Sequence, residues 1–325
     1  MGFFICATLS VEFDSLMFRS LTIALSIFFL SSAFAEAASI NMPKSASQGE
    51  VVKILITDPN NEEYRIQFSP VGWPQNKKII LISAVNLGGG KQMALIPIAP
   101  DEVTGLALIT IFAASSGNTH AIEIKKANFQ VAKGVTFVGD PKGKLKEKFD
   151  DEKNELKRIF ALSTPERFWK EDLKFVAPLK DMAVTSPFGQ IRHKFSRKDG
   201  KWDANHFGAD LHADVWTHVY AAEKGIVRLA TKFLAEGKII IIDHGYGLFS
   251  LYFHLSRLQV HDGDFVKKGD MIALSGQTGA SIGPHLHFEI RLNGVAVSPW
   301  NFMQEPPMFK QKAASPPFWK KRGAK

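Results

Sequence analysis

The chain has 325 residues, 45% of them hydrophobic and 22% charged, with a net charge of +8. That length and apolar content exclude a disordered chain and favour two globular domains over one. The single cysteine, Cys6, excludes an intramolecular disulfide framework and a cysteine-ligated zinc site, so any metal must use histidine and carboxylate ligands.

Arg19 precedes the apolar run Leu21 to Leu30, and small residues follow at Ala33 and Ala35. A basic flank, a short apolar stretch and an Ala-x-Ala site together read as a secretory signal peptide over residues 1–35, too short to span a bilayer comfortably. Glu12 and Asp14 sit poorly in a basic leader, which makes Met17 a candidate true start. Cleavage after Ala35, or alternatively after Ala37, removes Cys6, and removal of residues 1–35 raises the net charge from +8 to +9. No other stretch approaches a membrane span. The expected destination is the periplasm or cell envelope, with no transmembrane segment after cleavage.

Residues 36–135 read as an N-terminal β module, with short β runs at 51–57, 64–68, 78–85, 92–98, 106–113 and 119–124. Turn signals such as Asp58-Pro59-Asn60-Asn61 and Gly88-Gly89-Gly90 divide them, a spacing that fits a small antiparallel sandwich. Its one histidine, His120, has no catalytic neighbours in sequence, so the module is expected to bind or regulate. Residues 136–173 form the expected helical linker. Within it, residues 142–161 interleave Lys, Glu and Asp with Leu145, Phe149, Leu156, Ile159 and Phe160 at helical spacing, which predicts a solvated amphipathic connector. Residues 174–305 follow as a second domain, expected to be a largely antiparallel β-sheet. Residues 306–325, with two Pro-Pro pairs, six basic residues and no acidic one, read as a flexible basic tail. That tail carries most of the positive charge, and no nucleic-acid-binding motif accompanies it.

Eight of the ten histidines fall between His206 and His287. His206-Phe207-Gly208-Ala209-Asp210 sets an imidazole and a carboxylate four positions apart, which a helical turn or a tight glycine-containing loop can converge on one ion. His285-Leu286-His287 runs into the alternating pattern Phe288-Glu289-Ile290. On a strand those two rings share a face, about 6.5 Å apart, so one can ligate a metal while the other faces a substrate. His254 ends the apolar run Leu251-Tyr252-Phe253, where a lone histidine is ordinarily a satisfied core residue.

Taken in order, these segments resemble the lysostaphin/LytM-type zinc metallopeptidases that cut peptidoglycan cross-links. The resemblance covers residues 184–303 and rests on Thr185-Ser186-Pro187-Phe188-Gly189 with Arg192, His206-x-Gly208-x-Asp210, Ile242-Asp243-His244-Gly245, Tyr252-Phe253-His254-Leu255-Ser256, Ser275-Gly276-Gln277-Thr278-Gly279 and Gly283-Pro284-His285-Leu286-His287-Phe288-Glu289. It implies that His206, Asp210 and His287 bind one Zn2+ per chain and that His254 and His285 are the catalytic pair. Two imidazoles and one carboxylate suit zinc and leave a fourth tetrahedral position open to water. Arg192 is a candidate to hold a stem-peptide carboxylate bidentately, and His244 reads as a structural turn residue. Two departures stand out: Ala235-Glu236-Gly237-Lys238 brings charges to one groove wall, and Trp216 replaces an expected small or polar residue.

The resemblance therefore implies an exported zinc endopeptidase acting on peptidoglycan stem peptides, most often in such architectures a DD-endopeptidase cutting the D-Ala to diamino-acid cross-link. A glycine-bridge endopeptidase is the narrower enzyme alternative. A catalytically silent LytM-type activator of a cell-wall amidase is the alternative from another class, recognised by loss of ligands, and here all five positions are filled. Self-inhibition by the N-terminal module or the 142–161 helix lying over the groove is a further expectation.

Overall fold

The computed structural model describes residues 38–72, 80–114, 116–162 and 164–303. The expected leader with Cys6 and Met17, and the basic tail, lie outside those residues. The chain is mainly β, as its turn-divided runs predict. No helix among the described residues is long and apolar enough to cross a membrane.

The first ten strands build two sheets and part of a third. One sheet orders Ser39–Asn41, Val51–Thr57, Lys91–Pro97 and Val85–Gly88; the other orders Ser45–Ser47, Gly117–Lys125, Gly105–Phe112, Arg65–Pro70 and Ile80–Ser83. Period-2 alternation turns Val52, Ile54 and Ile56 inward against Ile66, Phe68, Ile109 and Ile111, giving one apolar core between the sheets. The run expected as one strand over 78–85 is two strands in different sheets, and residues 78 and 79 fall outside the described chain. The break is Ala84, whose N–H donates to the Tyr64 carbonyl at 2.8 Å and lets the chain pass from one sheet to the other.

Val131–Phe137 forms a strand the apolar pattern did not announce. It pairs in parallel with Ile191–Ser196, which pairs antiparallel with Gly200–Asn205. Among its described residues, the segment between the halves is helical over Gly143–Phe160. Good helix formers, a Lys146–Asp150 pair one turn apart and Lys157 and Arg158 in the last turn favour that helix.

The C-terminal half is built on an eight-stranded antiparallel sheet. Its order is Val184–Ser186, Ala209–His212, His285–Leu292, Leu248–Leu255, Gly237–Asp243, Gly225–Phe233 and Phe265–Val266, with Val295–Val297 also on His285–Leu292. One face buries Leu211, Phe288, Ile290, Tyr252, Ile240 and Val227 in the main core with Trp169, Phe175 and Phe302. On the other face Leu229, Phe233, Ile239, Ile241, Phe249 and Leu251 are covered by Ile159, Leu156 and Phe160 of the helix. The helix expected as a solvated connector is therefore docked along its last turns, while Leu145 in its first turns remains 53% exposed.

Register fixes which face the helix takes. Phe249 pairs with Arg291, Leu251 with Glu289 and Phe253 with His287, and directly opposed residues share a face. The helix thus lies on the face that carries His287. The N-terminal sheet joins from the other side: Lys91–Pro97 is buried on both faces, and its Met93 and Leu95, with Val85, belong to the main C-terminal core.

Candidate metal centre

Three neighbouring elements bring the histidines together. Asp210 on Ala209–His212 stands opposite His287 on His285–Leu292, and His212 stands opposite His285. His206 precedes Ala209 in a tight approach, not a helical turn. A Cβ on Gly208 would meet His287 Nε2 and the Phe288 carbonyl at 2.6 Å each, so only glycine lets the chain carrying His206 pass this close.

The resulting triangle is small. His206 Nε2 lies 3.0 Å from His287 Nδ1 and 3.1 Å from Asp210 Oδ1, and His287 Nδ1 lies 2.9 Å from that same oxygen. These separations approach the edge of about 3.4 Å in a tetrahedron with bonds near 2.1 Å, so the donor set fits a small divalent ion. Among the described residues, His206, Asp210 and His287 form a group able to hold a metal.

The hydrogen bonds on the far sides of the rings settle which atoms face the cluster. A carbonyl only accepts, so His206 Nδ1, 3.0 Å from the Pro187 carbonyl, carries the proton and leaves Nε2 as the free donor atom. His287 reverses this: its Nε2 faces Glu289 Oε2 at 3.3 Å and its Nδ1 faces the cluster. Phe253 stacks on the His287 ring at 4.8 Å, with 12° between planes, and fixes its tilt. Asp210 presents Oδ1 to the histidines while its Oδ2 accepts from Arg192 Nη2 at 2.7 Å. Arg192, a candidate for a stem-peptide carboxylate, thus spends that nitrogen on Asp210 and on Ser186 Oγ.

Electrostatics follow from burial and these partners. Burial raises the Asp210 carboxyl, but hydrogen bonds from His206 and His287 outweigh it and hold the group well below the usual carboxylate range. Burial pushes His206 down. In His287 burial also acts downward, yet Asp210 and Glu289 more than offset it and lift the ring to about 9. Glu289 is buried, held by Arg291, and its part in aiming His287 was not anticipated beyond its presence in the motif.

His254 and His285 stand beside the triangle, their ring centroids 4.7 Å apart, with His285 Nε2 3.6 Å from Asp210 Oδ1. His254 reaches this position through a β-bulge. Lys238 pairs with Leu255 and Ile240 with Tyr252, so one extra residue is accommodated in the Leu248–Leu255 strand, and His254 adopts a left-handed φ of 61°. Its backbone N–H donates to the Glu236 carbonyl at 2.8 Å, and its Nδ1–H donates to the Thr278 carbonyl at 2.8 Å. His285 Nδ1 lies 2.8 Å from the Gly283 carbonyl. Each ring therefore keeps its Nε2 lone pair for the site. Burial pushes His254 down to about 4.

The remaining marked residues separate cleanly. His244 is fully buried away from the triangle, between the Lys224 carbonyl and Ser250 Oγ, each at 2.8 Å. His218 and His261 are exposed, and His261 lies beside Asp264. Glu236 is half-buried, and burial raises its carboxyl; Lys238 Nζ donates to the Ser256 carbonyl at 2.6 Å.

Residues 204–299 match the model of peptidase family M23, a span that contains the whole triangle and both flanking histidines. The chain carries a peptidase family M23 domain. The chain is 43% identical over 125 residues to an uncharacterized metalloprotease of Haemophilus influenzae, covering 38% of this chain and 26% of that protein. It is 30% identical over 175 residues to the peptidoglycan DD-endopeptidase ShyB of Vibrio cholerae, covering 53% of this chain and 37% of that protein. The chain thus spans between about a quarter and two fifths of the length of these two curated relatives. A peptidase M23 crystal structure from Pseudomonas aeruginosa superposes with a TM-score of 0.57 at 21% identity, over 79% of this chain and 94% of that one. At that identity it speaks to the fold alone, over more of the chain than residues 204–299.

Proposed function

We propose that this chain is an exported, zinc-dependent endopeptidase that hydrolyses peptide cross-links of peptidoglycan, with the D-Ala to diamino-acid bond as its target. One observation carries the reading: three ligand atoms of His206, Asp210 and His287 converge within about 3 Å of one another beside two further imidazoles with free Nε2 atoms. Similarity to a peptidoglycan DD-endopeptidase of Vibrio cholerae and to a metalloprotease of Haemophilus influenzae supports it. The leader read over residues 1–35 supports export to the periplasm or cell envelope.

Two imidazole nitrogens and one carboxylate oxygen suit zinc, with one position left for a reactant. When bound, zinc supplies Lewis acidity, acidifying a water and polarising an amide carbonyl. The remaining work falls on the side chains. Pro187 and Glu289 hold the two ligating rings in the required tautomers, and Arg192 acts as a positioning residue by fixing the second oxygen of Asp210. His254 and His285, anchored through Nδ1–H on Thr278 and Gly283, direct Nε2 at the reacting atoms. One ring takes the proton of the attacking water at Nε2, and the pair returns a proton to the leaving amine and donates to the developing oxyanion.

The test is zinc content together with release of cross-linked muropeptides from purified walls. Near-stoichiometric zinc with cleavage in the wild type, zinc without cleavage in His285→Ala, and loss of both in His287→Ala are expected. Zinc without cleavage in the wild type would overturn the enzyme reading and favour an amidase activator.

A further inference from the structure

Trp216 has a left-handed φ of 74° and a side chain left 60% exposed. Both features are unfavourable by themselves. A bulky L-residue is strained in that backbone region, and an exposed indole leaves a large apolar surface in water. Among the described residues Trp216 makes no ring contact that would repay the strain in the fold.

The loop nevertheless fixes the conformation from several directions. Trp216 N–H donates to the Ser275 carbonyl at 3.0 Å, Thr217 N–H to Ser275 Oγ at 3.1 Å, and Ser275 Oγ to the Asp214 carbonyl at 2.6 Å. Ser275 itself is fully buried. The next residue, Gly276, accepts the backbone N–H of His285 at 3.2 Å. The Trp216 backbone is therefore tied to Ser275, one residue before the carbonyl that holds the His285 N–H, and its indole is exposed there. Strain held in place by a buried polar lock, in a loop one residue from the backbone that pairs with His285, points to a displayed binding residue.

We infer that Trp216 is a stacking platform for a sugar ring of the glycan strand that carries the stem peptide, an inference that rests on the peptidoglycan reading above. The residues assigned to the peptide bond are sheltered, His254 being 8% exposed, whereas the indole projects into solvent. An indole displayed outside that sheltered pair suits a part of the substrate beyond the scissile peptide. A pyranose presents a flat face of C–H groups that matches an indole plane, and exposed Asp214 and His218 on either side in sequence offer partners to its hydroxyls.

The experiment uses the full chain and three proteins: wild type, Trp216→Gly and Trp216→Phe. Soluble N-acetylglucosamine oligomers are titrated against each. Cleavage is then compared on cross-linked muropeptides with their sugars and on the same peptides after the sugars are removed. Trp216→Gly is expected to weaken oligomer binding about tenfold and to lower the preference for sugar-bearing over sugar-free substrate by a similar factor. Trp216→Phe should keep most of both, and the thermal midpoint of Trp216→Gly should not fall, because glycine relieves the left-handed strain. Unchanged binding and preference in Trp216→Gly overturn the inference, as does a fall of several degrees in its midpoint, which would make the residue structural. If the wild type binds the oligomers through Trp216 but cuts neither substrate, the platform stands and the endopeptidase reading fails.

Discussion

Acid should destabilise this protein through His244, a histidine that takes no part in the candidate metal centre. Its ring is 0% exposed, its Nδ1–H donates to the Lys224 carbonyl, and Ser250 donates to its Nε2. Ser250 Oγ lies 3.0 Å from the Tyr252 hydroxyl, which accepts from the Ala222 N–H at 2.8 Å. A second proton on the ring would force Ser250 Oγ to turn from donor to acceptor and would place a charge in a fully buried site. Burial accordingly pushes the pKa from 6.5 down to about 4. The unfolded chain takes up this proton near pH 6.5 and the folded chain only near pH 4, so between them the unfolded state binds more protons. Stability must therefore fall as the pH is lowered through that window. A gap of about 2.5 in pKa, at roughly 1.4 kcal/mol for each, comes to about 3 kcal/mol in full and about 2 kcal/mol by pH 5. Urea unfolding of the wild type and of His244→Gln, from about pH 7.5 to about pH 5, isolates the contribution. The variant starts less stable, since it loses the ring packed 5.2 Å from Phe175, and the gap between the two proteins should narrow by about 2 kcal/mol at the acid end. Parallel curves would refute the reasoning.

Other perturbations test other links. Arg192→Ala leaves Asp210 Oδ2 without its guanidinium, and metal affinity measured by chelator competition should drop about 10- to 100-fold with little change in unfolding midpoint. Phe249→Ala empties a fully buried site between the helix and the sheet, so denaturant titration should register a loss of about 3–5 kcal/mol, together with faster proteolysis within Gly143–Phe160. Gly245→Ala places a Cβ 1.7 Å from the Glu166 carbonyl oxygen at a φ of 87°; a loss of more than about 3 kcal/mol is expected, and an unchanged midpoint would show that the turn yields freely.

The site was more legible than its supports. His206, Asp210, His254, His285 and His287 stand in short motifs whose spacing survives translation into a strand pair, and the sheet registers bring them within one small volume. The bulge at His254 was not legible, because its cause is the mismatch between two strands distant in sequence. Glu289 looked like one residue of an alternating strand; only the fold reveals that it faces His287 across two positions. Val131–Phe137 escaped notice for a similar reason. Gly134 interrupts it, Val131 and Val135 are more than half exposed, and its partner lies some 60 residues away at Ile191–Ser196. Helical spacing correctly located the Gly143–Phe160 helix, but its mixed charge hid the docking of Leu156, Ile159 and Phe160, which depends on an apolar patch supplied by other strands.

The strand Lys91–Pro97 gives the two halves a common fate. With one face in each core, it cannot leave either without stripping apolar contacts from both, so heating should melt the described halves in a single transition. A protease that cuts the connecting segment should yield a nicked protein whose fragments stay together and separate only in denaturant. Separately made fragments divided there should find one another and recover a shared fold.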